Sequence, residues 1–310
     1  MTDPYRLGFV SLRVHYFQRV AQTGSIRQAA QALDVAPSSV SRILKQLEDE
    51  IGLPLFERTR QRLKLTSAGE MMLHHARQSY AEFQRACARI NHLHGLERGS
   101  VSVATIESAA RGLLPDALAA FWADHPAISV DIRVASSDAV ADAVAGGECD
   151  LGLVFDIPVP RNVRRAGVVS LPLGVVVRPT SRFAGRNDLK IADLAGERVI
   201  LSDASLTLGA WVEEAFGGTF VELDQRARTN SIGLMTDLAR RDLGAVLQTR
   251  VGIEQDVAEG NLSFVPLRDP KLRLRKLMLL ARPEKEMSHP AFALLRLLKD
   301  RLERLRDACN

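Results

Sequence analysis

Three serines, an arginine and a lysine share one stretch, PSSVSRILKQLEDEIG, residues 37–52. Ser38, Ser39 and Ser41 are short, so a backbone carrying them can come close to a polyanion, and each hydroxyl can donate or accept. Arg42 and Lys45 reach further, and a guanidinium can grip a phosphate or a guanine edge in bidentate fashion. Just beyond, LFERTRQRLKLT sets Arg58, Arg60, Arg62 and Lys64 at every second position. A period of two predicts a strand or hairpin with one basic face, its tip at Thr59-Arg60-Gln61. A second set of polar residues lies in the rest of the chain. Thr105, Glu107 and Ser108 follow one strand-like run, and Ser136-Ser137 follows another. Residues 202–207, beginning at Ser202, follow a third, and Thr229, Asn230 and Ser231 a fourth. Hydroxyls and free backbone N–H groups at helix starts suit a carboxylate. Glu107 would add negative charge there or accept from an amine. Phe155 and Gln248, at strand ends, complete the set.

Other chemistries find no residues to carry them. There is no nucleophile elbow, P-loop, HExxH motif or isolated GxGxxG after a strand, and no paired acids, so neither catalysis nor a cofactor is expected. His74, His75, His92 and His94 are adjacent or two apart, which points them to different helix faces, so no metal site is expected. Cys87, Cys149 and Cys309 are odd in number and form no CxxC pair. That fits a reducing cytoplasm and argues against a disulfide frame, a zinc site or a thiol switch. No apolar run approaches the roughly 20 residues of a membrane helix, and no signal-peptide pattern opens the chain.

The 310 residues allow two or three domains. Ten Lys/Arg and six acids fall in the first 66 residues, and 31 of each sign in the rest. All of the net charge of +4 therefore sits in the first fifth of the chain, as in a small basic module joined to a neutral body.

The elements that would position these residues follow from spacing. Leu12, Phe17 and Val20 open a first helix, which ends by Gly24. Ser25 with Gln28 makes a capping box for a second helix, whose Ala29, Ala30 and Leu33 form a slim face. After a turn at residues 34–36, Pro37 suits the first position of a third helix. Its stripe of Val40, Ile43, Leu44, Leu47 and Ile51 is expected to be buried, and Gly52 stops it. Two helices joined by so short a turn make a helix-turn-helix, and a basic hairpin behind them makes a wing. Met72, Ala76, Ser79, Phe83, Ala86, Ile90 and Leu93 then alternate by four and three, a heptad seam for pairing two chains, or one helix lying on its own body. From residue 101 strand and helix patterns alternate, which implies parallel sheets covered by helices.

The ordered series Phe17, Gly24-Ser25, Ala29-Ala30, Leu33, Val40-Ser41, Leu47-Glu48, Gly52, Leu55-Phe56, Arg58 and Leu65-Thr66-x-Ala68-Gly69 resembles the winged helix-turn-helix of LysR-type transcriptional regulators. Ala36 and Pro37 depart from the family pattern, which usually has a polar residue and often a base-reading Gln there, so no operator sequence is carried over. The resemblance extends over nearly the whole chain. It implies an α/β protein: a winged helix-turn-helix (1–66), a linker dimerisation helix (67–96), and a two-lobed effector domain like a type 2 periplasmic binding protein (97–310). One lobe would hold about 101–160 and 268–310, the other about 161–267. The DNA-binding set becomes Ser25, Arg27, Pro37, Ser38, Ser39, Ser41, Arg42, Lys45, Arg58, Arg60, Arg62, Lys64 and Thr66. The effector set is Thr105, Glu107, Ser108, Ser136, Phe155, Ser202, Thr229, Asn230 and Gln248. Met72, Ala76, Phe83 and Ile90 would pair the linker helices. Implied partners are double-stranded DNA with an interrupted palindrome, a small-molecule effector, RNA polymerase and a second copy or pair of copies of the chain. Two rivals stand beside this: a solute-binding module whose N-terminal helices serve assembly, and an enzyme using the cleft.

Overall fold

The structure is a computed structural model that describes residues 11–58, 63–93, 99–217, 221–269, 272–284 and 287–307. The chain divides into two compact units, Met1–Leu96 with Gly146–Glu148, and the remainder.

The first unit begins with three short helices, α1 (Leu12–Thr23), α2 (Ile26–Ala32) and α3 (Pro37–Ile51). Ser11 caps α1 by accepting from the Arg13 N–H, and Gly24, at φ 65°, ends it. The Ser25 hydroxyl accepts from the Gln28 N–H at 3.4 Å, supplying the N-cap bond expected for α2. Asp34 takes a left-handed φ of 54° in the turn to α3. Phe17, Val20, Ala29, Ala30, Val40, Leu44 and Leu47 bury together, and the slim alanines let the helices cross closely. The stripe on α3 stops short of its expected end. Gly52 turns the chain at φ 77°, and Ile51 (41%) and Leu53 (56%) stand exposed beyond the packed face.

A two-stranded antiparallel hairpin follows, β1 (Phe56–Arg58) and β2 (Leu63–Leu65). It corrects the expectation of one basic face. Glu57 lies opposite Lys64, and position 58 opposite Leu63. Directly opposed residues share a face, so positions 58 and 64 fall on opposite faces. A period of two holds along one strand, but it does not carry around a turn that pairs odd with even positions. Arg60 and Arg62 lie outside the described residues.

The helix α4 (Ser67–Leu93) comes next. The Thr66 hydroxyl accepts from the Gly69 N–H at 3.1 Å and donates to the Pro54 carbonyl at 2.7 Å. A side chain on Gly69 would stand 2.1 Å from the Leu55 carbonyl oxygen, so only glycine lets α4 start this close to the hairpin.

The second unit holds two five-stranded sheets. The first has β3 (Gly99–Thr105), β4 (Ile128–Val134), β5 (Leu151–Phe155), β6 (Arg164–Leu171) and β12 (Arg275–Ala281), in the order β4-β3-β5-β12-β6. The second has β7 (Gly174–Val177), β8 (Arg198–Ser202), β9 (Asp224–Thr229), β10 (Ala245–Gln248) and β11 (Ser263–Pro266), in the order β11-β7-β10-β8-β9. Each combines a parallel core with antiparallel returns: β12 runs against β5 and β6, and β7 against β10 and β11. The all-parallel expectation therefore holds only for the strands linked through helices. The lobe boundary also moves. The run GVVSLPLGVVVRP is two strands, and β6 pairs with β12 in the first sheet, so the chain crosses at Leu171–Gly174 rather than at residue 161. It crosses back between Pro266 and Arg275.

The helices α5 (Glu107–Arg111), α6 (Leu113–Asp124), α7 (Ser137–Ala145) and α11 (His289–Asp307) accompany the first sheet. The helices α8 (Thr207–Phe216), α9 (Ile232–Arg240) and α10 (Glu254–Ala258) accompany the second. Among the described residues, no helix is long and apolar enough to cross a membrane.

Candidate nucleic-acid interface and interlobe cavity

On α3 the outward residues are open to a partner. Ser38, Ser41, Arg42 and Lys45 are exposed and Ser39 is half-buried, while Val40, Leu44 and Leu47 face the core. No side chain caps this helix, and Pro37 occupies its first turn, so its positive end is open to an anion. Arg27 is exposed on α2, and Lys64 on the hairpin. Two expected contacts are committed elsewhere: the Ser25 hydroxyl caps α2, and the Thr66 hydroxyl ties α4 to Pro54. Glu48 has a role that spacing did not assign. Its Oε1 accepts from the Leu55 N–H at 2.7 Å and the Phe56 N–H at 3.1 Å, fixing the hairpin against α3. Its position one residue past the buried Leu47 was the available signal.

The seam on α4 is only partly what its spacing suggests. Met72 packs against the helix-turn-helix core, and Ala76 is buried within the chain. The first three turns thus serve the chain's own packing, because α4 leaves the hairpin alongside α1. Phe83 is half-buried, and the Ile90 side chain lies outside what is described. The His74 and His75 rings meet edge-on at 5.4 Å, and no metal-holding cluster occurs among the described residues.

Between the lobes of the second unit lies a cavity of about 490 Å³. Of the expected effector residues, Glu107, Ser108, Ser136, Phe155, Asn230 and Gln248 line it. Thr105, Ser202 and Thr229 do not. Each is the last residue of its strand, and the first two are turned into the core at 0% and 2% exposure. Their hydroxyls bond within the protein: Thr105 donates to the Ile106 carbonyl, Ser202 to the Asp203 carbonyl, and Thr229 accepts from the Ser231 N–H. In these three runs the lining begins one to three residues past the strand end, at Ile106, Ser205 and Asn230.

Several contacts join the lobes around the cavity. Glu107 accepts from the Ile232 N–H at 2.9 Å, the Gly233 N–H at 2.8 Å and the Ser231 hydroxyl at 3.3 Å. It therefore caps α9 from the opposite lobe and is not free for an incoming amine. The Thr207 hydroxyl donates to the Ser137 hydroxyl at 3.3 Å, and Ser137 also accepts from the Phe155 N–H at 3.1 Å. Phe155 meets Trp211 edge-on at 4.9 Å, with the Arg275 guanidinium 4.9 Å from the indole centroid. Arg275 donates to Glu214 at 2.8 Å, and this bond holds the Glu214 carboxyl below its ordinary range. Ser137 and Thr207 lie within the runs that the strand ends mark, whereas Trp211 was absent from the expected set. Trp211 reads in sequence as one apolar residue of a helix, with nothing to mark the side it presents.

Behind this lining, Gly209 lets α8 start against a turn whose Asp203 carbonyl would stand 2.0 Å from an added side chain. Asp203 accepts from the Ser205 hydroxyl and N–H, which keep its carboxyl ionised to lower pH than usual. Glu254 is a different case. Burial raises its pKa, and it stands against Gly112 while accepting from the Gly252 N–H at 2.7 Å.

The family models match both units. Residues 12–70 match the bacterial regulatory helix-turn-helix of the LysR family, and residues 94–303 the LysR substrate binding domain. A RuBisCO operon transcriptional regulator from Allochromatium vinosum is 32% identical over 225 residues, 71% of each chain. Among solved structures, a full-length OxyR variant from Pseudomonas aeruginosa superposes with a TM-score of 0.64 at 18% identity, over 94% of this chain and 93% of its own. Full-length CbnR bound to its target DNA gives 0.62 at 21%, over 94% and 98%. These two likenesses speak for the fold. With an open-ended, serine- and arginine-faced third helix in one unit and a two-lobed cavity in the other, the chain belongs to the LysR family of transcriptional regulators.

Proposed function

We propose that the chain works in the cytoplasm as a two-fold dimer, or a pair of dimers, on an interrupted palindrome in duplex DNA. Paired α4 helices would present two copies of α3 to two major-groove half-sites. A small molecule between the lobes would shift the equilibrium between two arrangements of the DNA-binding pairs, and so alter DNA bending and access of RNA polymerase. Only a molecule with different affinity for the two arrangements can do this. The observation that carries the DNA part is the exposed Ser38, Ser41, Arg42 and Lys45 at the uncapped start of α3. The effector part rests on a cavity of mixed apolar and polar lining whose two walls are held together by Glu107. No catalytic step is assigned to the cleft.

Footprinting on the DNA flanking the gene tests this. A protected pair of half-sites is expected, with affinity falling steeply with salt. Replacing Arg42 and Lys45 by alanine should flatten that salt dependence by about 0.9 in log–log slope for each phosphate no longer neutralised. A full chain that protects no duplex at low ionic strength would favour the rival, a solute-binding module whose helices serve assembly.

A further inference from the structure

Gln248 ends β10 on the cavity wall and is 3% exposed, yet neither its side-chain nitrogen nor its oxygen has a hydrogen-bond partner among the described residues. A buried amide left unpaired on both atoms is costly, and native structures retain few of them. The surrounding polar groups contrast with it. Glu107 is held by the start of α9, Ser137 by Phe155 and Thr207, and the Ser205 hydroxyl by Asp203. The same wall carries the edge-on pair of Phe155 and Trp211, with Leu208 and Val134 beside it.

The charge around this amide is as informative as the amide itself. Among the described residues, no lysine, arginine or histidine lines the cavity. Glu107 is the one acidic side chain in that lining, and its negative charge faces the positive end of α9. Arg275 lies behind Trp211 and is engaged by Glu214. A buried carboxylate ligand would thus lack a counter-charge, and a cationic one would have only a carboxylate that is already shared.

We infer that the cavity selects an uncharged, flat molecule with a hydrogen-bond donor and acceptor side by side. Carboxamides, lactams and ureides have such an edge, which pairs with the Gln248 amide at two points while the apolar body rests on Phe155 and Trp211. The inference rests on the reading of this cleft as the effector site and adds the class of molecule it takes. Its rival is an anion at the start of α8, where no side chain caps the helix and Leu206, Thr207 and Leu208 line the cavity.

Benzamide and benzoate have nearly the same shape and differ in charge and in the donor. Each is titrated into the full-length protein carrying Trp122→Phe, so that Trp211 alone reports by fluorescence. Benzamide should bind at least about tenfold more tightly than benzoate. Gln248→Met should abolish this preference while unfolding no earlier than the parent. Gln248→Glu, which presents an acceptor only, should turn the preference toward benzamidine. Tighter binding of benzoate, or a preference for benzamide that survives in both Gln248 variants, overturns the assigned class and leaves the cleft reading standing. If neither probe moves Trp211 up to about 10 mM, where even a weak fragment should register, the class and the cleft reading both fall.

Discussion

The two polar surfaces of this regulator are built by opposite rules. On α3, Ser38, Ser41, Arg42 and Lys45 stand in solvent on a helix whose packing uses only the other side. In the cavity, Glu107, Ser137 and Ser205 bond within the protein, and among the described residues the one side chain there with both polar atoms buried and unpaired is Gln248. An outer surface that meets a polyanion needs charge and reach, and costs the fold almost nothing. An inner surface must first satisfy itself, so its recognition falls to what is left unpaired.

Substitutions at the two surfaces and their supports should separate these rules. The largest effect is expected at neither surface but at the joint beneath the first. Gly69→Val pushes a side chain into the Leu55 carbonyl and should cost the N-terminal unit about 3 kcal/mol, read by thermal unfolding, with DNA binding lost alongside. Glu107→Ala should cost about 2 kcal/mol in the second unit, because three donors at the start of α9 lose one charged acceptor. Gln248→Met should act in the opposite direction, stabilising that unit by about 1 kcal/mol in denaturant unfolding, since it removes an unpaired amide. Arg42→Ala should leave stability within about 0.5 kcal/mol while weakening DNA binding. If Gln248→Met destabilises, or Arg42→Ala unfolds the N-terminal unit, the contrast fails.

The smallest effect concerns pH. Burial raises the Glu254 pKa above its ordinary 4.5. The folded state therefore holds this proton more tightly than the unfolded chain. The stability this supplies is complete below 4.5 and is lost as pH rises through the raised folded value. Glu254→Gln keeps an acceptor for the Gly252 N–H and has no proton to lose. Its unfolding midpoint should match or exceed the parent's at pH 7, and the difference should vanish toward pH 4.

The N-terminal unit was legible because its determinants are local. Caps, a four-residue turn and an apolar stripe all lie within a few positions of each other, and Ser25, Gly24 and Pro37 play their expected structural parts. The hairpin misled because period two describes one strand, whereas the face at Lys64 depends on its pairing with Glu57 across the turn. In the second unit, strand ends pointed to the right neighbourhoods, yet Thr105 and Ser202 turn inward and the Thr229 hydroxyl is taken by the Ser231 N–H. Which way a terminal residue faces depends on the register of its sheet. That register is fixed by partners far away in sequence, as when β12 pairs with β5 and β6. Glu107 capping α9 spans 125 positions, and no local pattern signals it.

The close approach of Gly69 to Leu55 has a mechanical consequence. With no room for even a methyl group between the hairpin and the root of the long helix, the two cannot swivel independently. A rotation of the root of α4 would therefore carry the hairpin with it. If two chains pair through α4 as proposed, adjusting the distance between their heads would be a matter for the helix's farther reaches, where side chains such as Ala86 lie in the open.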